Sequence, residues 1–404
     1  MKVFEDLASK VHVAWARCGR DESAFPEIAQ SMLDGFAGSG VDPDDVFRWL
    51  VTTDNLPLQL DPQSKFGNFA LTVASRDDFC IDVLVWTDST TSIHQHGFSG
   101  AFHVLHGSSL HTLWSFQESK RWSDRLKAGQ LSLCATEYLR TGSTRPILPR
   151  NEMIHSLFHL EKPSVTVVVR TLSSAVYVPQ LTYERSGLAY DPHPEPPIVQ
   201  KTTQLLRLLW TSNHERRLEI SKLAMSTIDA YSAVRIILSL ASPAVAEGQA
   251  ALIEGWKHRD PGLAALLRDT IRHMQRDRFI VRLRKHTQSP RHRMLLAMIL
   301  NLPDRVSIES AVRQIAPEEA PEQWLWETIR SMYVSPSDEW DDENVLGMEL
   351  NESNEDVLRM LFEGHSVEEI CHVLPNSDES RETVQTACLR VSESPVLASL
   401  MPQR

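Results

Sequence analysis

The chain has 404 residues, a net charge of −12, 42% hydrophobic and 23% charged residues. That length fits two or three domains, each large enough to bury a core, and the acidic balance argues against a general nucleic-acid binder. No apolar run nears the ~18 residues of a membrane span, and the charged N-terminal stretch has no signal-peptide core. Five scattered cysteines (Cys18, Cys80, Cys134, Cys371 and Cys388) lack a CxxC spacing; they argue against a disulfide framework or structural zinc site and fit a reducing cytoplasm.

Residues 1–60 read as helical. Phe4, Leu7, Val11 and Trp15 recur at helical intervals. A second helix is expected from Phe25 to Phe36, and a third opens after Asp42 as N-cap with Pro43 at the first helical position. Residues 61–190 change to short β-runs, among them FALTVAS, FCIDVLVW, SIHQHG, AFHVLHG, SLHTLWSF, QLSLCATEYL, MIHSLFHL, SVTVVVRTL and AVYVPQLTYE. They are rich in β-branched and aromatic residues and bounded by turn formers. About ten such runs predict a closed β-sandwich or barrel. Pro192, Pro194, Pro196 and Pro197 mark an extended linker over 191–200. Residues 201–404 then show apolar spacing of three and four throughout and predict an all-helical domain. The fold class is therefore α+β: leading helices, a β-barrel and a helical half. In that half, 268–293 is basic and 338–356 acidic, which predicts two solvated faces, or an anion or partner site on the basic helix.

Seven of the sixteen histidines lie between 94 and 159. His94 and His96 are two residues apart in a predicted strand, so both imidazoles face one side and can reach one ion. Downstream, Pro149 opens a turn into a strand carrying His155. Three neutral nitrogen ligands on one side of an ion leave positions open, as in non-haem iron oxygenases.

The pair His94-Gln95-His96 with closing Gly107, followed by Pro149, His155 and the SVTVVVRTL strand, resembles the two motifs of the cupin superfamily. The stretch FCIDVLVWTDSTTSIHQHGFSGAFHVLHG is similar to the three-histidine thiol dioxygenases of the cysteine dioxygenase type, over roughly residues 60–180. The resemblance implies a jelly-roll barrel and Fe(II), or another divalent transition metal, on His94, His96 and His155. O2 and a small anionic or thiol-bearing substrate, free or carried on a protein, would be its reactants.

Three positions depart from that pattern. Where most cupins carry a glutamate, this chain has Gly100 and Ala101; the early-strand arginine falls on Asn68 or Phe69; the last-strand Ser/His/Tyr set falls on Val168, Arg170 and Leu172. Arg170 is the candidate to bind a substrate carboxylate instead, ahead of Arg76 and Arg150. His103 is a candidate to orient a ligand and His159 to line the cavity, each against a plain core role; His111 reads as a core or surface histidine and His106 as exposed. Phe98, Phe102, Trp86 and Trp114 are expected as barrel core, with one or two lining a cavity. Two other classes stay open: a non-catalytic ligand sensor signalling through the helical domain, and a metal-dependent isomerase, lyase or C–C-cleaving enzyme. The helical domain could also dock a protein partner. Ser366 with Glu369 opens a helix in a pattern resembling a helix-turn-helix start, in an acidic setting poor for DNA.

Overall fold

A computed structural model describes residues 1–64, 66–87, 90–172, 179–193, 196–240, 245–334, 346, 352–374 and 378–401. The predicted strand at 175–184 falls partly outside these, and the acidic stretch 338–356 largely so.

Three helices lead: α1 (Lys2–Arg17), α2 (Phe25–Phe36) and α3 (Pro43–Thr52). Asp42 caps α3 in a reciprocal capping box with Asp45, as the Asp-Pro start predicts. Eleven strands follow: β1 (Phe69–Ser75), β2 (Phe79–Trp86), β3 (Ile93–His96), β4 (Gly100–His106), β5 (Ser108–Ser123), β6 (Leu126–Arg140), β7 (Thr144–Ile147), β8 (Arg150–His159), β9 (Ser164–Thr171), β10 (Thr182–Tyr183) and β11 (Leu188–Tyr190). They form a five-stranded sheet, β1-β2-β9-β4-β7, and a six-stranded sheet closed on itself in the order β10-β11-β6-β5-β8-β3.

The first sheet is buried on both faces because its strands alternate two kinds of apolar contact. Phe79, Ile81, Val83 and Val85 of β2 share a core with Val165, Val167 and Val169 of β9 and with Phe4, Val11, Trp15, Phe25 and Leu33 of α1 and α2. The alternate residues of the same strands face the second sheet and enclose the cavity described below. The β5–β6 hairpin runs far past the predicted strands. Residues 117–125 are mostly polar and exposed, so no hydrophobic alternation marks them, yet the backbone ladder continues to Ser123↔Leu126 through three register shifts.

Two free strand edges are closed by glutamine side chains rather than strands. At β1, Gln59 accepts from Thr72 N and donates to Thr72 O. At β6, Gln314 of the helical half bonds Thr136 O and Tyr138 N. An amide carries a donor and an acceptor at the spacing of a peptide group and so satisfies an edge without inviting another chain.

The remaining helices are α4 (Pro197–Thr211), α5 (Arg217–Thr227), α6 (Ala230–Ser239), α7 (Ala246–Lys257), α8 (Pro261–His286), α9 (Pro290–Asn301), α10 (Arg305–Ile315), α11 (Pro321–Tyr333), α12 (Glu352–Phe362), α13 (Val367–Val373) and α14 (Asp378–Glu393). Their cores reach into the barrel. Leu126 and Leu188 sit with residues of α4–α8, and Leu110 and Phe158 with residues of α8–α14. Among the described residues no helix is long and apolar enough to cross a membrane.

Candidate metal centre

His94 and His96 leave β3 on one face, and His94 lies opposite His155 of β8 in register. Their ligand nitrogens and that of His155 all lie within 4.8 Å of one another, which is the size of a single-ion site, and all three residues are buried. His96 Nε2 and His155 Nε2 face each other at 2.8 Å. His94 Nδ1 lies 2.7 Å from Ser92 O. A carbonyl only accepts, so Nδ1 carries the proton and Nε2 holds the free lone pair. That Nε2 is buried with no hydrogen-bond partner, a costly state that a bound cation relieves. Burial pushes His94 below, and His96 and His155 well below, the ordinary imidazole range. All three are therefore neutral, the form in which imidazole binds metal. The residues fit a divalent transition metal; they do not choose among such metals.

The triad sits on a cavity of ≈ 250 Å³. Leu84, Trp86, Phe98, Phe102, Ile147, Leu157 and Val168 make it largely apolar. Its polar wall is a small network: Arg170 Nε donates to Asp82 Oδ2 at 2.8 Å, and Thr72 Oγ1 donates to Asp82 Oδ1 at 2.7 Å. The Arg170 guanidinium lies over the Phe98 ring at 5.4 Å, and that ring packs 4.6 Å from His96. Arg170 and the triad thus share one chamber. Cys80, also beside Asp82, is pushed above the ordinary thiol range by burial and stays a neutral thiol.

The other candidates are placed differently. His103 alternates with cavity-facing Phe102 on β4, so it points to the outer face; it bonds Thr144 Oγ1 at 3.0 Å and meets Phe36 edge-on. It touches no ligand histidine. His159 stacks on Trp86 at 4.4 Å and bonds Ser109 Oγ, which puts it behind the cavity wall rather than on it. Trp114 packs with Tyr183, away from the triad; Arg76 pairs with Glu5 and His106 is exposed. Arg150 is exposed at the start of β8 in a left-handed conformation.

The histidine that contacts the triad from outside is His111. Its Nε2 lies 2.9 Å from His155 Nδ1 and its Nδ1 lies 3.0 Å from Glu137 Oε2. Arg145 grips the same carboxylate, with Nε 3.0 Å from Oε2. The hydrogen bond from His111, followed by Arg145, outweighs burial and holds Glu137 at about 2. The sequence places His111 in a strand as a core or surface histidine; its contact with His155 is diagonal across β5 and β8.

Gly100 and Ala101 are both sterically confined. A Cβ at Gly100 would lie 2.1 Å from Val169 O, and Ala101 is packed in the core against the N-terminal helices. No side chain from either position reaches the ion site. Gly100→Ala is expected to cost about 1–3 kcal/mol through the forced backbone shift, read as a lowered unfolding midpoint in urea; an unchanged midpoint would contradict the close approach.

No family model matches this chain, and no curated protein matches it. Solved structures that resemble part of this chain include cupins. A hydroquinone 1,2-dioxygenase from Sphingomonas sp. aligns at 11% identity over 28% of this chain and 71% of that one, with a TM-score of 0.21. An RmlC-like cupin from Shewanella frigidimarina aligns at 9% identity over 26% and 77%, with a TM-score of 0.19. KdgF from Halomonas sp. aligns at 14% identity over 26% and 80%, again at 0.19. Likeness of this extent concerns about a quarter of the chain and assigns no activity.

Proposed function

We propose that this protein is a metal-dependent cupin enzyme, an oxygenase that holds Fe(II) on His94, His96 and His155 and acts on a small carboxylate-bearing or thiol-containing substrate. The observation that supports it is the convergence of three buried, neutral imidazoles on a largely apolar chamber that, among the described residues, carries the guanidinium of Arg170 in its wall. When bound, such an ion supplies open coordination positions for O2 and substrate and the redox chemistry of the reaction. The chain's own contributions are binding, orientation and exclusion of water. Trp86, Phe98 and Phe102 line the chamber with aromatic surface that favours an apolar substrate body. Arg170 uses Nε on Asp82, and among the described residues its Nη groups have no hydrogen-bond partner; they are the donors for a carboxylate. Asp82 and Phe98 hold the guanidinium where it meets both the substrate and the wall.

The test is O2 uptake by protein reconstituted anaerobically with Fe(II), against a panel of small carboxylates with and without a thiol. Arg170→Met is expected to raise KM about tenfold or more for the best substrate, with kcat less affected. Less than about 0.2 equivalents of bound Fe(II), given that three histidines should hold one ion, or no uptake above buffer across the panel, would overturn the oxygenase reading.

A further inference from the structure

We propose that His111, Glu137 and Gln314 form a positioning chain through which the helical half of the protein orients the imidazole of His155; it rests on reading His155 as a metal ligand. The direction of the first hydrogen bond follows from the charge of Glu137, and that of the second from His111 being a buried, neutral ring. Arg145 contacts both oxygens of Glu137, with Nε at 3.0 Å from Oε2 and Nη2 at 3.2 Å from Oε1. A carboxylate in that grip is ionised and only accepts, so His111 Nδ1 is the donor across the 3.0 Å contact. A neutral imidazole has one N–H. His111 Nε2 must then accept, and the proton between the two rings belongs to His155 Nδ1, 2.9 Å away. His155 Nε2 is left with its lone pair turned toward His96. Outer partners of this kind fix ring orientation and strengthen the ligand.

Glu137 is itself held from outside the barrel. It lies between Thr136 and Tyr138 on a length of β6 whose outer edge pairs with no strand among the described residues, since β11 reaches only residues 126–128. Gln314 of α10 fills that edge, with Nε2 2.9 Å from Thr136 O and Oε1 3.2 Å from Tyr138 N. The two bonds bracket Glu137. Helix α10 is anchored in the helical core by Ile308, Ala311 and Val312. His94 is oriented by the carbonyl of Ser92 on its own segment; His155 is oriented by residues that trace back to the appended helices. Gln314 lines neither the cavity nor the triad, so its role is positioning.

The experiment titrates full-length, metal-free protein with Co(II), following the visible ligand-field bands and competing with a chelator. Wild type is compared with Glu137→Gln, Gln314→Ala, the double variant and His94→Ala. Glu137→Gln is expected to weaken Co(II) binding about 10–100-fold. Gln314→Ala, an exposed change that spares the fold, is expected to weaken it about 3–10-fold, and the double variant no more than Glu137→Gln alone, because both act on one path. Nitrogen-15 histidine spectra of the metal-free proteins give a second readout: His155 held as the Nδ1–H tautomer in wild type, and a tautomer mixture in both variants. Wild-type Co(II) affinity and an unchanged His155 tautomer in Glu137→Gln and Gln314→Ala, with Co(II) lost in His94→Ala, would overturn the chain. Failure of wild type to bind Co(II) overturns the metal reading instead, and the tautomer comparison still decides the chain.

Discussion

Replacing His155 by alanine is expected to abolish stoichiometric metal binding, weakening affinity by more than about 100-fold. The bound follows from the outer contacts: losing a single orienting partner of a ligand histidine costs about 10–100-fold, and losing the ligand itself costs more. The substitution removes the nitrogen that faces His96 Nε2 at 2.8 Å and leaves His94 and His96 alone on one short strand. It also strands His111 Nε2, whose one partner is His155 Nδ1. Elemental analysis after anaerobic Fe(II) or Co(II) loading and desalting measures the effect. His103→Ala is the matched control. His103 is as buried as the triad but faces the N-terminal helices, so that variant is expected to retain wild-type metal content. Metal retained at wild-type stoichiometry in His155→Ala would remove the triad from consideration.

The second large effect concerns stability rather than metal. Asp82→Ala is expected to cost about 3 kcal/mol, the lower end of the range for breaking a buried ion pair. Asp82 is nearly buried and Arg170 about a quarter exposed (9% and 23%), so water offsets part of the loss. Three groups rely on the carboxylate: Arg170 Nε, Thr72 Oγ1 and the Cys80 thiol. The cost arises chiefly from a cation left in a largely apolar chamber without its hydrogen-bonded partner, with the Phe98 face and the more distant Asp61 carboxylate to stabilise it. The double variant Asp82→Ala/Arg170→Met should therefore recover most of the loss, a non-additivity that a cycle of urea-unfolding experiments resolves. A single-variant loss below about 1 kcal/mol would mean the pair behaves as a surface contact.

The parts of this protein that were legible in sequence are those written over a few residues. The His94–His96 spacing reports one face of one strand, the Asp42-Pro43 start reports a capped helix, and the apolar periods report which segments are strands and which are helices. Contacts between distant strands were not legible. In FCIDVLVW both faces are buried, so the alternation that separates Asp82 toward the cavity from Ile81 toward α1 and α2 has no hydrophobic contrast to display. The pairing of His111 with His155 depends on the β5–β8 register, and that of Arg170 with Asp82 spans 88 residues. Sequence does not separate His103 from His111 for this reason: both lie in strands near the motif, and only the sheet to which each strand belongs distinguishes them.

The proline-rich connection at 191–200 divides the chain in composition, but the cores do not divide there. Leu126 and Leu188 pack with α4–α8, and Leu110 and Phe158 with α8–α14, so unfolding the appended helices would strip apolar cover from the strands that carry the histidines. Ligation at His94, His96 and His155 would then stabilise helices that no ligand atom touches. The two halves share apolar cores and are expected to unfold together, so that loosening the second half is expected to lower the order of the first.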